Sequence, residues 1–380
     1  MNSEHPASSA SAVRRPAEQG RLYWIDTVRI ALTALVVAHH CALTYGNIPI
    51  WFYNEPSRDP SGSVLDILVV ANQSYFMGLF FLISGYFVPA SVDRKGPGGF
   101  ARERLIRLGV PILVFMVVVR PVADYWSWRY SDSALPYLTH YMTTMDPGPT
   151  WFLEVLLIFS LLYAGCRRWV PVRRCARLSA SDGRLPGMVA ARTVTGLILI
   201  MGVLMALWRQ IVPDGTYWPV VGLPTPAFLP QYALMFSAGV LAARRRWLER
   251  MPSSIATLGG GVSLVALLLL APFALSPDPV VAGIAGGFAM AVLGVGISAV
   301  VLVAFRRFAP GRGPKRQFLS DNAFAVYVIH PAVLVVVALL LREVPAPAIV
   351  KFAALASLSL PACWGLAALL RRSRLVRRIA

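Results

Sequence analysis

Long apolar runs recur along the chain, and the short segments between them carry most of its charge. A run of about 20 residues can cross the roughly 30 Å of hydrocarbon in a bilayer as an α-helix. The pattern therefore predicts an all-α, polytopic integral membrane protein with about ten transmembrane helices. The predicted spans are residues 23–43, 64–90, 106–122, 151–165, 193–212, 228–243, 254–273, 281–305, 323–341 and 347–369.

Composition supports a membrane protein and excludes an ordinary soluble domain. Hydrophobic residues make up 57% of the chain and charged residues 14%, against about 45–50% and about 25% in soluble domains. The net charge of +18 could suggest a nucleic-acid partner, which requires a basic face on a folded domain. Here the basic residues fall in clusters between apolar runs, so we expect a lipid bilayer and no nucleic acid.

The distribution of basic residues predicts the orientation of the chain. With the N-terminus inside, 29 of the 36 Lys and Arg residues fall on inside segments and five on outside segments or their borders. Cytoplasmic loops carry such an excess. We therefore expect a multi-pass protein of the inner (cytoplasmic) membrane with both termini cytosolic. Residues 1–22 would form a disordered cytosolic tail, residues 23–370 the transmembrane domain and residues 371–380 a basic cytosolic tail.

The first predicted span contains three ionisable residues, Asp26, Arg29 and His40. At 3.6 residues per turn, Arg29 and His40 lie about 20° apart on the helix surface and about 16 Å apart along it. Asp26 lies near the same stripe, whereas His39 is about 80° away from it. Such groups are costly inside a membrane and usually functional. The alternative is an interfacial Asp26–Arg29 pair and a packing histidine.

Two further segments contain candidate binding residues. Ser84 and Tyr86 flank a glycine in the second span, where Ser and Gly usually indicate close helix packing. Arg104 and Arg107 are three residues apart at the start of the third span, so both would project from one helical face at the membrane surface. Paired Arg side chains can bind phosphate groups bidentately. The simpler interpretation is that these arginines only anchor the loop.

The ninth span contains His330, followed directly by Pro331. A proline inside a helix leaves a backbone carbonyl without its partner and usually bends the helix. A histidine at this depth is expected to face a polar cavity rather than lipid. Metal binding is not predicted, because the four cysteines show neither CxxC spacing nor a neighbouring His pair.

Four motifs in this order resemble acyltransferase family 3, a family of multi-span membrane enzymes. The first is Arg29 with ten residues before His40. The second is Phe80-Phe81-Leu82-Ile83-Ser84-Gly85-Tyr86, similar to the family's FF-x-x-SG-[FY] run. The third and fourth are Arg104-Leu105-Ile106-Arg107-Leu108 before Pro111, and Tyr327-Val328-Ile329-His330. The run Trp151-Phe152-Leu153 resembles the glucan-modifying branch, although Glu154 stands two residues before the position of the family's glutamate.

The resemblance implies an O-acyltransferase that moves an acyl group, expected to be acetyl, to a hydroxyl of a glycan, sugar or natural product. Acyl-coenzyme A would be the co-substrate, and no cofactor would be bound permanently. The implied catalytic residues are His40, Asp26 and His330. The implied coenzyme-binding residues are Arg29, Arg104, Arg107, Ser84 and Tyr86. Two alternatives remain open: a transporter or flippase that uses the intramembrane Asp, Arg and His, and an intramembrane serine hydrolase using Ser84.

Overall fold

The computed structural model describes residues 22–131, 133–170, 187–219, 222–309, 311 and 313–379. These residues form helices and no strand. The tail predicted at 1–22 lies, apart from Leu22, outside the described residues. The α-helices in chain order are α1 (Tyr23–Tyr45), α2 (Ser61–Arg104), α3 (Val110–Val114), α4 (Arg120–Arg129), α5 (Tyr137–Thr144), α6 (Trp151–Trp169), α7 (Gly187–Arg209), α8 (Leu229–Arg244), α9 (Trp247–Arg250), α10 (Ser254–Ala274), α11 (Pro279–Phe308), α12 (Pro314–Leu340), α13 (Ala348–Leu370) and α14 (Arg374–Ile379).

Within the described ranges, nine helical runs are long and apolar enough to cross a membrane. One of them, Ser61–Arg129, has 69 residues, or about 100 Å at 1.5 Å per residue. It therefore contains both the second and the third predicted span, which confirms a polytopic protein with about ten transmembrane helices. We expected a loop between these two spans. The backbone is instead helical there, with a break at Gly96 (φ 73°, ψ 161°), a conformation that glycine adopts without strain.

Helix α1 lies between two apolar clusters and joins them. Its first half, which includes Ile25 and Leu32, packs with residues of α2, α6 and α8. Its second half, which includes Val37 and Cys41, packs with residues of α12 and α13. More than half of the most apolar stretch of α1 is buried, compared with 22% for α10. Three polar side chains of α1, those of Thr33, His39 and Thr44, are consequently buried inside the bundle, whereas α10 presents most of its surface to lipid.

Glycines permit the closest helix crossings. A Cβ atom built on Gly85 of α2 would lie 2.2 Å from the carbonyl oxygen of Phe236, and one on Gly239 of α8 would lie 2.1 Å from that of Leu82. Real Cβ atoms do not approach backbone so closely, so only glycine fits at either position. Small residues commonly allow such approaches between membrane helices. The packing role expected for the Ser84–Gly85 pair is confirmed for Gly85.

The segments predicted to lie inside meet at one end of the bundle. Asp93 of α2 binds Arg167 of α6 at 2.9 Å and Arg244 of α8 at 2.5 Å. Arg306, at the end of α11, donates to the carbonyl oxygen of Leu248 at 3.0 Å. The ion pairs connect α2 to the ends of α6 and α8, and the hydrogen bond connects the end of α11 to α9, so these contacts fix the arrangement of the bundle on that side.

We expect Gly85→Ala and Gly239→Ala each to destabilise the protein by about 1–3 kcal/mol, the usual effect of overpacking. Gly196→Ala on α7 is the control, because an added Cβ there meets no atom within 4 Å. That change should be neutral or stabilise by up to about 1 kcal/mol through helix propensity. Unfolding in detergent gives the comparison. Equal stability of the three variants would contradict the close crossing.

Candidate active site

The structure brings His40 and His330 together at the same depth. His40 lies about 26 Å from the start of α1, and His330 lies about 24 Å from the start of α12, which begins at the same end of the bundle. Nε2 of His330 lies 3.1 Å from Nδ1 of His40. His330 is fully buried, with 0% exposure. The sequence identified both residues as candidates but did not predict that they form a pair.

Pro331 determines which ring nitrogens of this pair carry hydrogen. In a regular α-helix the carbonyl of Tyr327 would accept from the N–H of residue 331, which proline lacks. Nδ1 of His330 lies 2.7 Å from that carbonyl oxygen. A carbonyl only accepts, so Nδ1 of His330 carries the hydrogen and donates it. The carbonyl that Pro331 leaves free is therefore bonded by the adjacent histidine.

The position of the hydrogen on the His40 ring follows from that of His330. A neutral imidazole has one N–H and one acceptor nitrogen, so Nε2 of His330 is the acceptor. Nδ1 of His40 must then donate across the 3.1 Å contact. This leaves Nε2 of His40 with a free lone pair, which is the state that a general base requires. A proton gained at Nε2 would also strengthen the bond from His40 to His330, since a charged donor makes a stronger hydrogen bond.

His39 occupies a different environment. Its ring is buried and lies 5.0 Å from the ring of Phe76 and 5.4 Å, edge to face, from that of His40. It packs against α2, whereas His40 faces α12. This separation agrees with the angular offset expected from the sequence.

Trp51 completes the site and was not recognised from the sequence. Its ring stacks on His40 with centroids 4.0 Å apart and planes 23° apart. Trp51 lies in the segment between α1 and α2, at the end of the bundle away from Arg29. Aromatic residues are common at membrane borders, so nothing in the pattern distinguished this tryptophan from an interfacial one.

A polar and aromatic region continues from Trp51 toward the same end. The Phe52 ring lies 5.2 Å from that of Trp51 and 5.9 Å from the guanidinium carbon of Arg120. Arg120 is only 3% exposed, and its Nε lies 3.6 Å from Asp146 Oδ1. Tyr217 donates to Oδ2 of Asp146 at 2.5 Å. Burial, and then the nearby Asp146 carboxylate, raise the pKa of the Tyr217 hydroxyl. Arg120 is one of the five basic residues on predicted outside segments or their borders, and its burial was not predicted from the sequence.

Asp26, Arg29, Arg104 and Arg107 lie at the opposite end. Arg29 is exposed and lies 3.9 Å from Asp26, and it is close enough to Arg104 to interact electrostatically. Asp26 is therefore grouped with the arginines, about 21 Å along α1 from His40. Arg107 pairs with Glu103 at 3.5 Å. The regular helical face expected here is replaced by a π-helical turn at Leu105–Gly109, a feature frequent at functional sites.

Ser84 and Tyr86 lie apart from the histidine pair. The Tyr86 hydroxyl donates to Glu249 Oε1 at 3.1 Å and so connects α2 to α9. Ser84 is half-buried, about 12 Å along α2 from Phe76, which packs against His39. The described part of the chain places no histidine beside Ser84, so its geometry does not support a serine hydrolase.

Comparisons with known proteins identify the family of the chain. A family model described as an acyltransferase domain matches residues 22–368, a range that includes both histidines and the basic residues. The chain belongs to the acyltransferase 3 family. The family resemblance found in the sequence is confirmed.

The acyltransferase is also similar to curated relatives named glucans biosynthesis protein C. It is 26% identical to the one from Salmonella gallinarum over 286 residues, 68% of this chain and 67% of the relative. The relative from Salmonella typhimurium is 25% identical over the same shares. These matches confirm the similarity to the glucan-modifying branch. No solved structure matches the chain.

We expect His40→Ala to lower kcat for acyl transfer by about 10²–10⁴-fold, the usual contribution of a general base. His39→Ala should lower the unfolding temperature, because it opens a cavity beside Phe76, but should leave kcat within about tenfold of the wild type. Acceptor-linked acyl product is the measurement for both. If His39→Ala were the more damaging change in a folded protein, the assignment of His40 as the base would be wrong.

Proposed function

We propose that this membrane acyltransferase transfers an acyl group, acetyl in the simplest case, from acyl-coenzyme A to a hydroxyl of a carbohydrate. The observation that carries the proposal is the hydrogen-bonded pair that leaves Nε2 of His40 free as a base. A carbohydrate acceptor is supported by the relatives named glucans biosynthesis protein C, and a natural-product hydroxyl would require the same chemistry.

The arginines at one end of the bundle match the negative charge of acyl-coenzyme A. Coenzyme A carries several phosphate charges, and Arg29, Arg104 and Arg107 provide a concentrated positive charge at one end of the bundle. Arg29 and His40 are on the same helix, about 16 Å apart along it. The phosphates would bind at the arginines while the flexible arm of the coenzyme carries the thioester into the bundle toward His40.

His40 would accept and return one proton during the transfer. Nε2 of His40 takes the proton of the acceptor hydroxyl as its oxygen attacks the thioester carbonyl carbon, and a new C–O bond forms. The tetrahedral intermediate collapses by breaking the C–S bond. The coenzyme A thiolate leaves and takes up the proton from His40. His330 keeps the His40 ring in the required orientation and tautomer throughout.

Each substrate would reach His40 from a different side of the membrane. Donor arginines lie at the end where the predicted inside segments meet, which supports cytosolic termini and an inner-membrane location. The region around Phe52, Arg120 and Asp146 lies at the other end. The acceptor would reach His40 from there.

Acyl transfer and transport can be separated in one experiment. Purified protein is reconstituted in proteoliposomes with labelled acetyl-coenzyme A on the side of the arginines and a glucan oligosaccharide on the other. We expect alkali-labile acetyl label on the glucan and none with His40→Ala. Label that crosses the membrane without becoming attached to the glucan would support the transporter alternative instead.

A second prediction concerns the donor site. Arg104→Lys/Arg107→Lys keeps both charges but replaces planar forks by point charges. The variant loses charge-assisted hydrogen bonds worth about 1.5–3 kcal/mol each. Since each 1.4 kcal/mol of binding free energy changes the affinity tenfold, the KM for acyl-coenzyme A should rise by about tenfold or more. The acceptor KM should not change.

Arg102→Lys is the matched control, since Arg102 is exposed on the same segment. It should leave both KM values unchanged. A donor KM that is also unchanged in the double variant would mean that Arg104 and Arg107 only anchor the segment at the membrane surface.

A further inference from the structure

Trp51 is held over the histidine pair by the segment between α1 and α2. Its ring is nearly parallel to both imidazoles, with centroids 4.0 Å from His40 and 6.1 Å from His330. The backbone N–H of Glu55 donates to the Thr44 carbonyl at 2.8 Å. The Asn54 side chain donates to the Trp51 carbonyl at 2.9 Å. These bonds fix the tryptophan relative to the end of α1, where Thr44 lies four residues beyond His40.

An ion pair with a buried lysine secures the same segment from the other side. Lys351 of α13 has a side chain only 6% exposed, pairs with Glu55 and donates to the Arg342 carbonyl at 3.0 Å. The backbone N–H of Ala348, at the start of α13, donates to Asp59 Oδ2 at 3.0 Å. The segment is thus attached to two helices, so the indole is positioned before any substrate binds. A group held in advance does not need to reorganise during the reaction.

The indole Nε1 of Trp51 is buried, and no described residue accepts its hydrogen bond. A buried donor without an acceptor is unfavourable, and native proteins rarely retain one without a reason. Trp364 shows the ordinary situation, since its Nε1 donates to the Leu319 carbonyl at 3.1 Å. Among the tryptophans of the described residues, only Trp51 combines contact with His40 and a buried donor that lacks an acceptor.

We infer that the Trp51 indole N–H donates a hydrogen bond to the acyl carbonyl oxygen of the donor as that oxygen becomes negatively charged. The inference rests on the proposed function. When the acceptor oxygen bonds to the carbonyl carbon, the electron pair of the C=O bond moves to its oxygen, and the acceptor proton moves to Nε2 of His40. The oxyanion is stabilised by the N–H until the C–S bond breaks and the C=O bond re-forms.

The stacked geometry also offers the indole face to His40. An aromatic face stabilises a neighbouring cation, so the imidazolium formed during transfer would benefit from any ring at position 51. The contributions of the N–H and of the ring face to kcat can therefore be measured separately, because phenylalanine keeps an aromatic ring but has no N–H donor.

The test compares Trp51→Phe, Trp51→Leu and Trp364→Phe in the reconstituted transfer assay. We expect Trp51→Phe to lower kcat by about 10²–10³-fold, the usual loss for one oxyanion donor, with both KM values and the unfolding temperature close to wild type. Trp51→Leu should be at least as impaired. Trp364→Phe removes a satisfied structural donor, so it should lower the unfolding temperature and leave kcat unchanged.

Three outcomes would overturn the inference while leaving the proposed function intact. Trp51→Phe could retain kcat while Trp51→Leu loses it, which would assign the effect to the ring face. Trp51→Phe could raise a KM at unchanged kcat, which would indicate substrate binding only. Both variants could retain full activity. Absence of transfer by the wild-type protein would instead overturn the proposed function together with this inference.

Discussion

Hydrocarbon contains no water, so each backbone polar group inside the membrane must find its partner within the protein. Regular helices meet that requirement everywhere except at an internal proline. At Pro331 the carbonyl of Tyr327 loses its backbone donor, and His330 supplies a side-chain donor in its place. That single bond assigns the hydrogen of His330, then the hydrogen of His40, and leaves one nitrogen of His40 free. A solvation constraint on the backbone thereby defines the protonation pattern of the candidate active site.

The packing of the bundle keeps this pattern in place. Helix α1 contributes to both apolar clusters, so His40 cannot change position without disturbing α2 on one side or α12 on the other. Close crossings at Gly85 and Gly239 set the distance between α2 and α8, and the Asp93 ion pairs fix their ends. The helices that position the histidine pair are therefore held together by contacts that do not depend on a bound substrate.

The two ends of the bundle differ in chemistry. One end gathers arginines, of which Arg29 and Arg107 are exposed, and their flexible side chains suit the charged donor that we propose. The other end combines aromatic rings with buried charged groups such as Arg120 and Lys351, which are held in place by hydrogen bonds and ion pairs. His40 lies between them on a helix that reaches both, so two substrates could meet without either crossing the membrane completely.

The sequence by itself determined the spans, because hydrophobicity over about 20 residues is a local property that the bilayer selects directly. It also determined the alignment of Arg29 with His40, which follows from helix geometry alone, and the family through its ordered motifs. Contacts between distant segments were decided only by the tertiary structure. His40 and His330 are 290 positions apart, and the position of Trp51 depends on a bond from Lys351 in the last long helix. No periodic pattern encodes such contacts, because they follow from how the helices pack and not from the order of residues within any one of them.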